Sequence, residues 1–458
     1  MTTTLTRSLT ARGLAILLIA YIPVNYAFGS VNVLAVDIGR DLGVGSAGQQ
    51  LVLSAYTATF AAALVIAGRL GDRFGRRRLI AVGSGSIALL SIASALSPNL
   101  ATLVILRILL GAAAGLLTPQ ILATIHATAE GTRRTTGVMM FAAMSGGSTV
   151  LGQLMAGGLA SVVPGHIAWR LVQIAGGLIA LVGLAGIRAV PASRAAARPA
   201  MDPAGAATLA AALLAIVVSL TLGPGSGWPA WSIVALAGGV VALAAFWRLQ
   251  LRLERRGLIP LVPPAVLRIP IVRRGLIMTL LFFTTYGAML YELSALAVER
   301  FGMGAVGASL LVLGFGAVFV AMSMVMPRIL PNAGAGTMSL AALAQVAALT
   351  AIAVLTLTGH DGFWALQFAL VPMGAAQALM FGPLIGAVLG RTPHWASGSA
   401  SGLVTTMQQV GLSLGVAVLG GLFHTVERGA GLDGALAVVF GIHAACGIVF
   451  AALARGLR

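Results

Sequence analysis

One carboxylate stands alone in the apolar stretch TTYGAMLYELSALAV: Glu292, within residues 284–298. A second lone charge, Arg107, lies in the equally apolar TLVILRILLGAAAGLLTP. Charges in such surroundings are costly, and ionisable groups inside membrane segments mark ion or substrate paths by default. A carboxyl can take up and release a proton, whereas a guanidinium stays charged at any physiological pH. The chemistry open to this pair is therefore proton exchange at Glu292 beside a fixed positive charge. The plainer alternatives are a structural Glu–Arg pair or a side chain snorkelling to the headgroups. No metal-ligand spacing, nucleophile triad or phosphate loop is present, so no cofactor and no enzyme activity are expected.

The elements holding these charges follow from composition. Of 458 residues, 59% are hydrophobic and 9% charged, and the mean hydropathy is +1.01. Soluble domains average about 25% charged residues, so this chain is an integral membrane protein. Its apolar runs are too long for barrel strands and read as helices. We place fourteen spans, with the first at 14–36, the fourth at 100–121, the ninth at 275–298 and the last two at 399–423 and 434–454. The spans at 205–222 and 231–249 are joined by only a short turn. The basic N-terminal flank (Arg7, Arg12) precedes a run too long for a cleaved signal, which is expected to stay as the first span.

All 28 basic residues are arginine, giving a net charge of +17. With the N-terminus inside, 23 arginines fall on the cytoplasmic side, four (Arg40, Arg170, Arg300, Arg428) outside, and Arg107 within a span. That asymmetry follows the positive-inside rule and places both termini in the cytoplasm. It also explains the basic balance without nucleic acid. Composition implies the lipid bilayer as a partner; protons, a small-molecule substrate and a monomeric chain are expected from the family resemblance carried by the motifs that follow. The single cysteine, Cys446, excludes an internal disulfide. Two cytoplasmic linkers, 188–205 and 248–275, separate a bundle at 1–190, an extra pair of spans at 191–274 and a bundle at 275–458.

The loop GRLGDRFGRRR (68–78) sets Gly68, Asp72, Arg73, Gly75 and Arg76 at a spacing that resembles the signature loop of the major facilitator superfamily. SVNVLAVDIGRDLG (30–43), SAYTATFAAAL (54–64), RILLGAAAGLLTP (107–119), GQLMAGG (152–158) and GSASGLVTTMQQVGLSLGVAVLG (398–420) resemble helix motifs of its 14-span drug:proton antiporters. The resemblance implies an all-α fold of two six-helix bundles plus two additional transmembrane helices. It also implies a conformational latch carried by Asp72 and Arg76, and a helix-packing motif at Gly152, Gly157 and Gly158. The counterpart loop at 327–336 has no acid, which leaves the latch on one half. Spans 1, 4, 9 and 12 would line the cavity, with Arg107 and Glu292 at similar depth in opposite halves.

Departures from the pattern are informative. Ala27 stands where relatives carry a first-helix aspartate, Val36 replaces a proline, and Gln153 replaces the proline of the fifth-helix motif. Glu292 thus becomes the candidate relocated proton site, with Arg107 beside it. Asn25, Asn32, Tyr56, Tyr286, Met289, Gln408 and Gln409 are candidate cavity residues, while His424 and His443 are expected to be structural or interfacial. The implied function is proton-coupled export of hydrophobic or amphiphilic small molecules from a bacterial inner membrane. A facilitator or importer without proton antiport, and a non-transporting sensor or assembly subunit, stay open.

Overall fold

The computed structural model describes residues 8–193, 202–223, 227–258, 260–302, 305–329, 333–393 and 397–457. The middle of the 188–205 linker and of the 327–336 loop, and the last residues of the turn before 227, lie outside this set. Every regular element among the described residues is helical. Helices α1 (Ala11–Asp41), α2 (Ser46–Phe74), α3 (Arg76–Ala95), α4 (Leu100–Thr128), α5 (Gly131–Ala160) and α6 (Gly165–Ala185) form a first group. Two helices follow, α7 (Pro203–Leu222) and α8 (Ala230–Arg255), and then a short α9 (Pro264–Arg268). The second group is α10 (Pro270–Glu299), α11 (Ala305–Ile329), α12 (Ala335–Leu357), α13 (Phe363–Gly390), α14 (Ser397–Gly415) and α15 (Gly421–Arg455).

Local sequence sets the helix ends. Thr10, Asn99 and Asp202 cap α1, α4 and α7 by accepting hydrogen bonds from Gly13, Thr102 and Gly205 N–H groups, and Pro203 follows its cap in the first helical position. Between α2 and α3 the chain turns on Gly75, at φ +97°, a conformation that favours glycine. A π-helical stretch, Val416–Gly420, joins α14 to α15, and Gly431 (φ +72°) breaks α15 into two helical pieces. Among the described residues, ten helices are long and apolar enough to cross a membrane, eleven if α2, bent by 52°, counts as one span; α7 and α11 hold shorter apolar helices.

Inside the first group, α4 lies against α2 and α1 against α5. The small residues on the Arg107 face of α4 make this possible: a Cβ on Gly111 would overlap the Tyr56 carbonyl, and one on Gly115 would press on Ala63 and the Phe60 carbonyl. In the second group, α10 packs on α14, α11 on α13 and α12 on α15. The groups meet along α5–α11, α2–α14 and α4–α14. α7 packs on α2, where Val217 meets Ala58 and Ala61, and reaches the α14 side through Ile216, Leu220 and Ala417. α8 leans on α7 and is otherwise the most open of the long helices.

Polar ties sort the connections onto two opposite faces. On one, Leu9 N–H donates to the Thr128 carbonyl, Arg76 N–H to that of Ser193, and the Arg274 guanidinium to that of Gly456. There too, Arg69 donates to the carbonyls of Pro260 and Leu261, so both ends of the extra-helix segment are tied to the α2–α3 corner. On the other face, Arg170 pairs with Asp41 at 2.8 Å, and Arg300 bridges Asp361 at 2.8 Å and Asp433 at 2.7 Å. We call these the arginine-rich face and the opposite face.

Candidate functional site

Arg107 is completely buried in α4. Its Nε donates to the Val52 carbonyl at 3.2 Å and its Nη1 to the Ala27 carbonyl at 3.3 Å. The guanidinium also lies over the Tyr56 ring, 4.7 Å from its centre, and Tyr56 in turn donates its hydroxyl to the Val24 carbonyl at 2.6 Å. The cation is thus held by backbone dipoles and a ring face rather than by a carboxylate. Nη2 finds no partner among the described residues. The guanidinium thus reaches the backbone of residue 27, where the family resemblance leads to the expectation of an acid and this chain has Ala27.

Glu292 is also completely buried, but its partner is not Arg107: no hydrogen bond or ion pair joins the two among the described residues. Glu292 Oε2 instead lies 2.8 Å from His443 Nε2, and His443 is itself 1% exposed. His443, expected to be structural or interfacial, comes from α15, 151 positions away. The Glu–Arg juxtaposition anticipated from depth is therefore replaced by a Glu–His pair within the second helix group. Depth along helices carries no information about rotation, and α10 turns Glu292 toward α15.

A hydrogen bond at this separation needs a proton on either Oε2 or Nε2. Glu292 Oε1 and His443 Nδ1 both lack partners among the described residues. A further polar chain runs beside it: Tyr291 Oη bonds His424 Nε2, and His424 Nδ1 lies 3.0 Å from Glu427 Oε2.

At the α2–α3 corner, Asp72 Oδ1 and Arg76 Nη2 form an ion pair at 2.8 Å with both side chains almost fully buried. Arg76 also donates to the Ala123 carbonyl near the end of α4. Gly68 is buried beneath the corner and Gly75 makes the turn, whereas Arg73 points away, its guanidinium 5.6 Å from the Phe74 ring centre.

The remaining candidates separate. Asn25 is half-buried and its Nδ2 is unpartnered among the described residues, whereas Asn32 is exposed and donates to the Phe28 carbonyl of its own helix. Tyr286 belongs to an aromatic cluster with Phe282, Phe283 and Phe315, and Phe381 joins it through Phe282 and Phe283. Met289 is buried with its sulfur 4.0 Å from Gln377 Nε2. Gln408 is buried with Nε2 unpartnered among the described residues, and Gln409 is half-buried. Gly152 sits so close to α1 that a Cβ would overlap the Tyr26 carbonyl, and Gly157 is buried. Gly158 faces open space, so the close packing of this motif rests on Gly152 and not on Gly158.

Comparison with known proteins bears on the family and the all-helical fold. The Major Facilitator Superfamily profile matches residues 17–203. The chain is 30% identical over 400 residues to a probable actinorhodin transporter of Streptomyces coelicolor, covering 86% of this chain and 69% of the relative. It is 32% identical over 435 residues to a puromycin resistance protein of Streptomyces alboniger, covering 91% and 82%. Among solved structures, it superposes on the human organic anion transporter MFSD10 with a TM-score of 0.68 at 16% identity, over 96% of this chain and 99% of that one. The proton:xylose symporter XylE gives a TM-score of 0.65 at 14% identity, covering 96% and 94%. Helical architecture, the α2–α3 corner and whole-length similarity together establish that the chain belongs to the major facilitator superfamily of transporters.

Proposed function

We propose that this multi-pass bacterial inner-membrane transporter exports hydrophobic or amphiphilic small molecules in exchange for protons, by alternating access between its two helix groups. The relatives named for actinorhodin transport, puromycin resistance and cephamycin export support the cargo class. Proton coupling rests on one observation, the buried Glu292–His443 pair in a chain with Ala27 on its first helix. In this reading the pair binds a second proton while hydrated from the opposite face and gives it up when the arginine-rich face opens.

Fourteen spans with both termini cytoplasmic is the proposed topology. Taking α2 as one span, α7 and α11 as spans, and the 56-residue stretch Ala400–Arg455 as two gives that count. At 1.5 Å per residue that stretch would extend roughly 84 Å, far beyond a hydrocarbon core of about 30 Å, and Gly431 supplies the turn. Residues 1–190 and 275–458 would be the moving bundles, with 191–274 carried on the first through Arg69 and Arg76. The Asp72–Arg76 pair acts as the latch. It would favour closure at the arginine-rich face, where Ser401 of α14 donates to the Pro119 carbonyl of α4 and Met139 of α5 packs on Gly382 of α13.

The test is transport in proteoliposomes with an imposed pH gradient and a fluorescent hydrophobic cargo. Export by the wild type should accelerate with the gradient, and Glu292→Gln should lose that acceleration while still exchanging cargo at equal pH. Gradient-independent transport by the wild type would favour a facilitator and end the antiport reading.

A further inference from the structure

On the arginine-rich side of the molecule, lined by neither Glu292 nor the Asp72–Arg76 pair, a cavity of about 380 Å³ opens between the extra helix pair and the second group. Its walls are apolar: Trp247 and Leu251 from α8, Leu267 from α9, Leu276 and Leu280 from α10, and Met407 from α14. Ile277, also on the wall, is 50% exposed, so the cavity is continuous with the outer surface of the bundle rather than with its centre. Two arginines stand at its rim. Arg268 is paired with Glu254 at 2.6 Å, whereas the exposed Arg273 guanidinium makes no hydrogen bond or ion pair with any described residue.

We propose that this cavity binds one anionic phospholipid of the cytoplasmic leaflet, an acyl chain lying between α8 and α10 and the phosphate meeting Arg273. Charge complementarity selects the occupant. The cavity lies at the headgroup end of the spans, where α8 finishes in arginines and α10 begins with them, and a free guanidinium there attracts an anionic headgroup. The apolar walls would take the hydrocarbon, and the volume falls within the usual range for a ligand pocket, about 300–1,000 Å³. The assignment rests on the membrane orientation given above and not on proton coupling. Because α8 and α9 form one wall while α10 and α14 form the other, a lipid seated there would bridge the extra helices to the second group.

The experiment follows phosphatidylglycerol retained by the purified full chain, by native mass spectrometry after stepwise delipidation. Phosphatidylcholine of the same chains and inorganic phosphate serve as separate arms. The wild type should retain one phosphatidylglycerol, and Arg273→Gln should bind it about fivefold more weakly, as expected for one interfacial charge. Leu280→Trp, which fills the cavity and keeps both arginines, should also lose it. Arg248→Gln, on a different surface of α8, should behave as the wild type. Equal retention by all four proteins, equal retention of phosphatidylcholine, or displacement of the lipid by inorganic phosphate alone would overturn the proposal.

Discussion

Replacing Asp72 by Asn removes the charge from the α2–α3 corner while keeping the side chain's size. The pair it breaks is 2.8 Å long, with Asp72 3% and Arg76 5% exposed, so water cannot replace the lost partner cheaply. Breaking a buried pair on one side costs about 3–5 kcal/mol. Arg76 keeps its bond to the Ala123 carbonyl, which argues for the lower end. If the pair exists only while the arginine-rich face is closed, about 3 kcal/mol moves the open–closed equilibrium roughly a hundredfold. The readout is maleimide labelling of a cysteine at Met139, buried against Gly382, in a chain whose Cys446 is replaced by Ser. Asp72→Asn should speed labelling by about that factor. Arg76→Gln should do the same, and the double variant should show little further effect because both changes break one interaction. Unchanged labelling in Asp72→Asn would show that the pair is structural and does not report on the conformational cycle.

Two further substitutions test the packing and the buried cation. Gly152→Val should lower the thermal unfolding temperature, with an overpacking cost of about 1–3 kcal/mol where α5 meets the Tyr26 carbonyl, while Gly158→Val, facing open space, should leave it unchanged. Arg107→Lys keeps the charge but loses the two carbonyl hydrogen bonds and the flat contact with Tyr56, so it should fail to support export in a cell-based susceptibility assay; full activity would show that only a positive charge is needed there.

Much of the architecture was legible because a bilayer forces it. Apolar runs of fixed minimum length and turns marked by arginines leave few ways to fold such a chain. The Asp72–Arg76 pair was legible for a local reason: four residues apart, across a glycine turn, the two side chains can meet whatever the rest of the chain does. The close approach of α4 to α2 could be read from Gly111 and Gly115 on one helical face. The partner of Glu292 could not be read this way. Sequence gives a residue's depth along its helix but not the rotation of that helix against a neighbour, so the similar depth of Arg107 could not make it the partner. The available signal was that His443 is the lone basic side chain in VVFGIHAACGIVF, in a setting as apolar as that of Glu292. Two costly polar groups in otherwise apolar helices each need a partner, and pairing them satisfies both. The partners of Arg107 were hidden for a different reason, since backbone carbonyls carry no sequence signature.

The claim that Glu292 with His443 carries the coupled proton is tested most directly by counting protons. Purified wild type, Glu292→Gln and His443→Gln would be placed in proteoliposomes with a trapped pH indicator, and proton movement recorded as cargo is driven across. The account predicts cargo-dependent proton movement in the wild type, none in Glu292→Gln, and a shifted pH dependence in His443→Gln. Proton movement in Glu292→Gln equal to that of the wild type would contradict it.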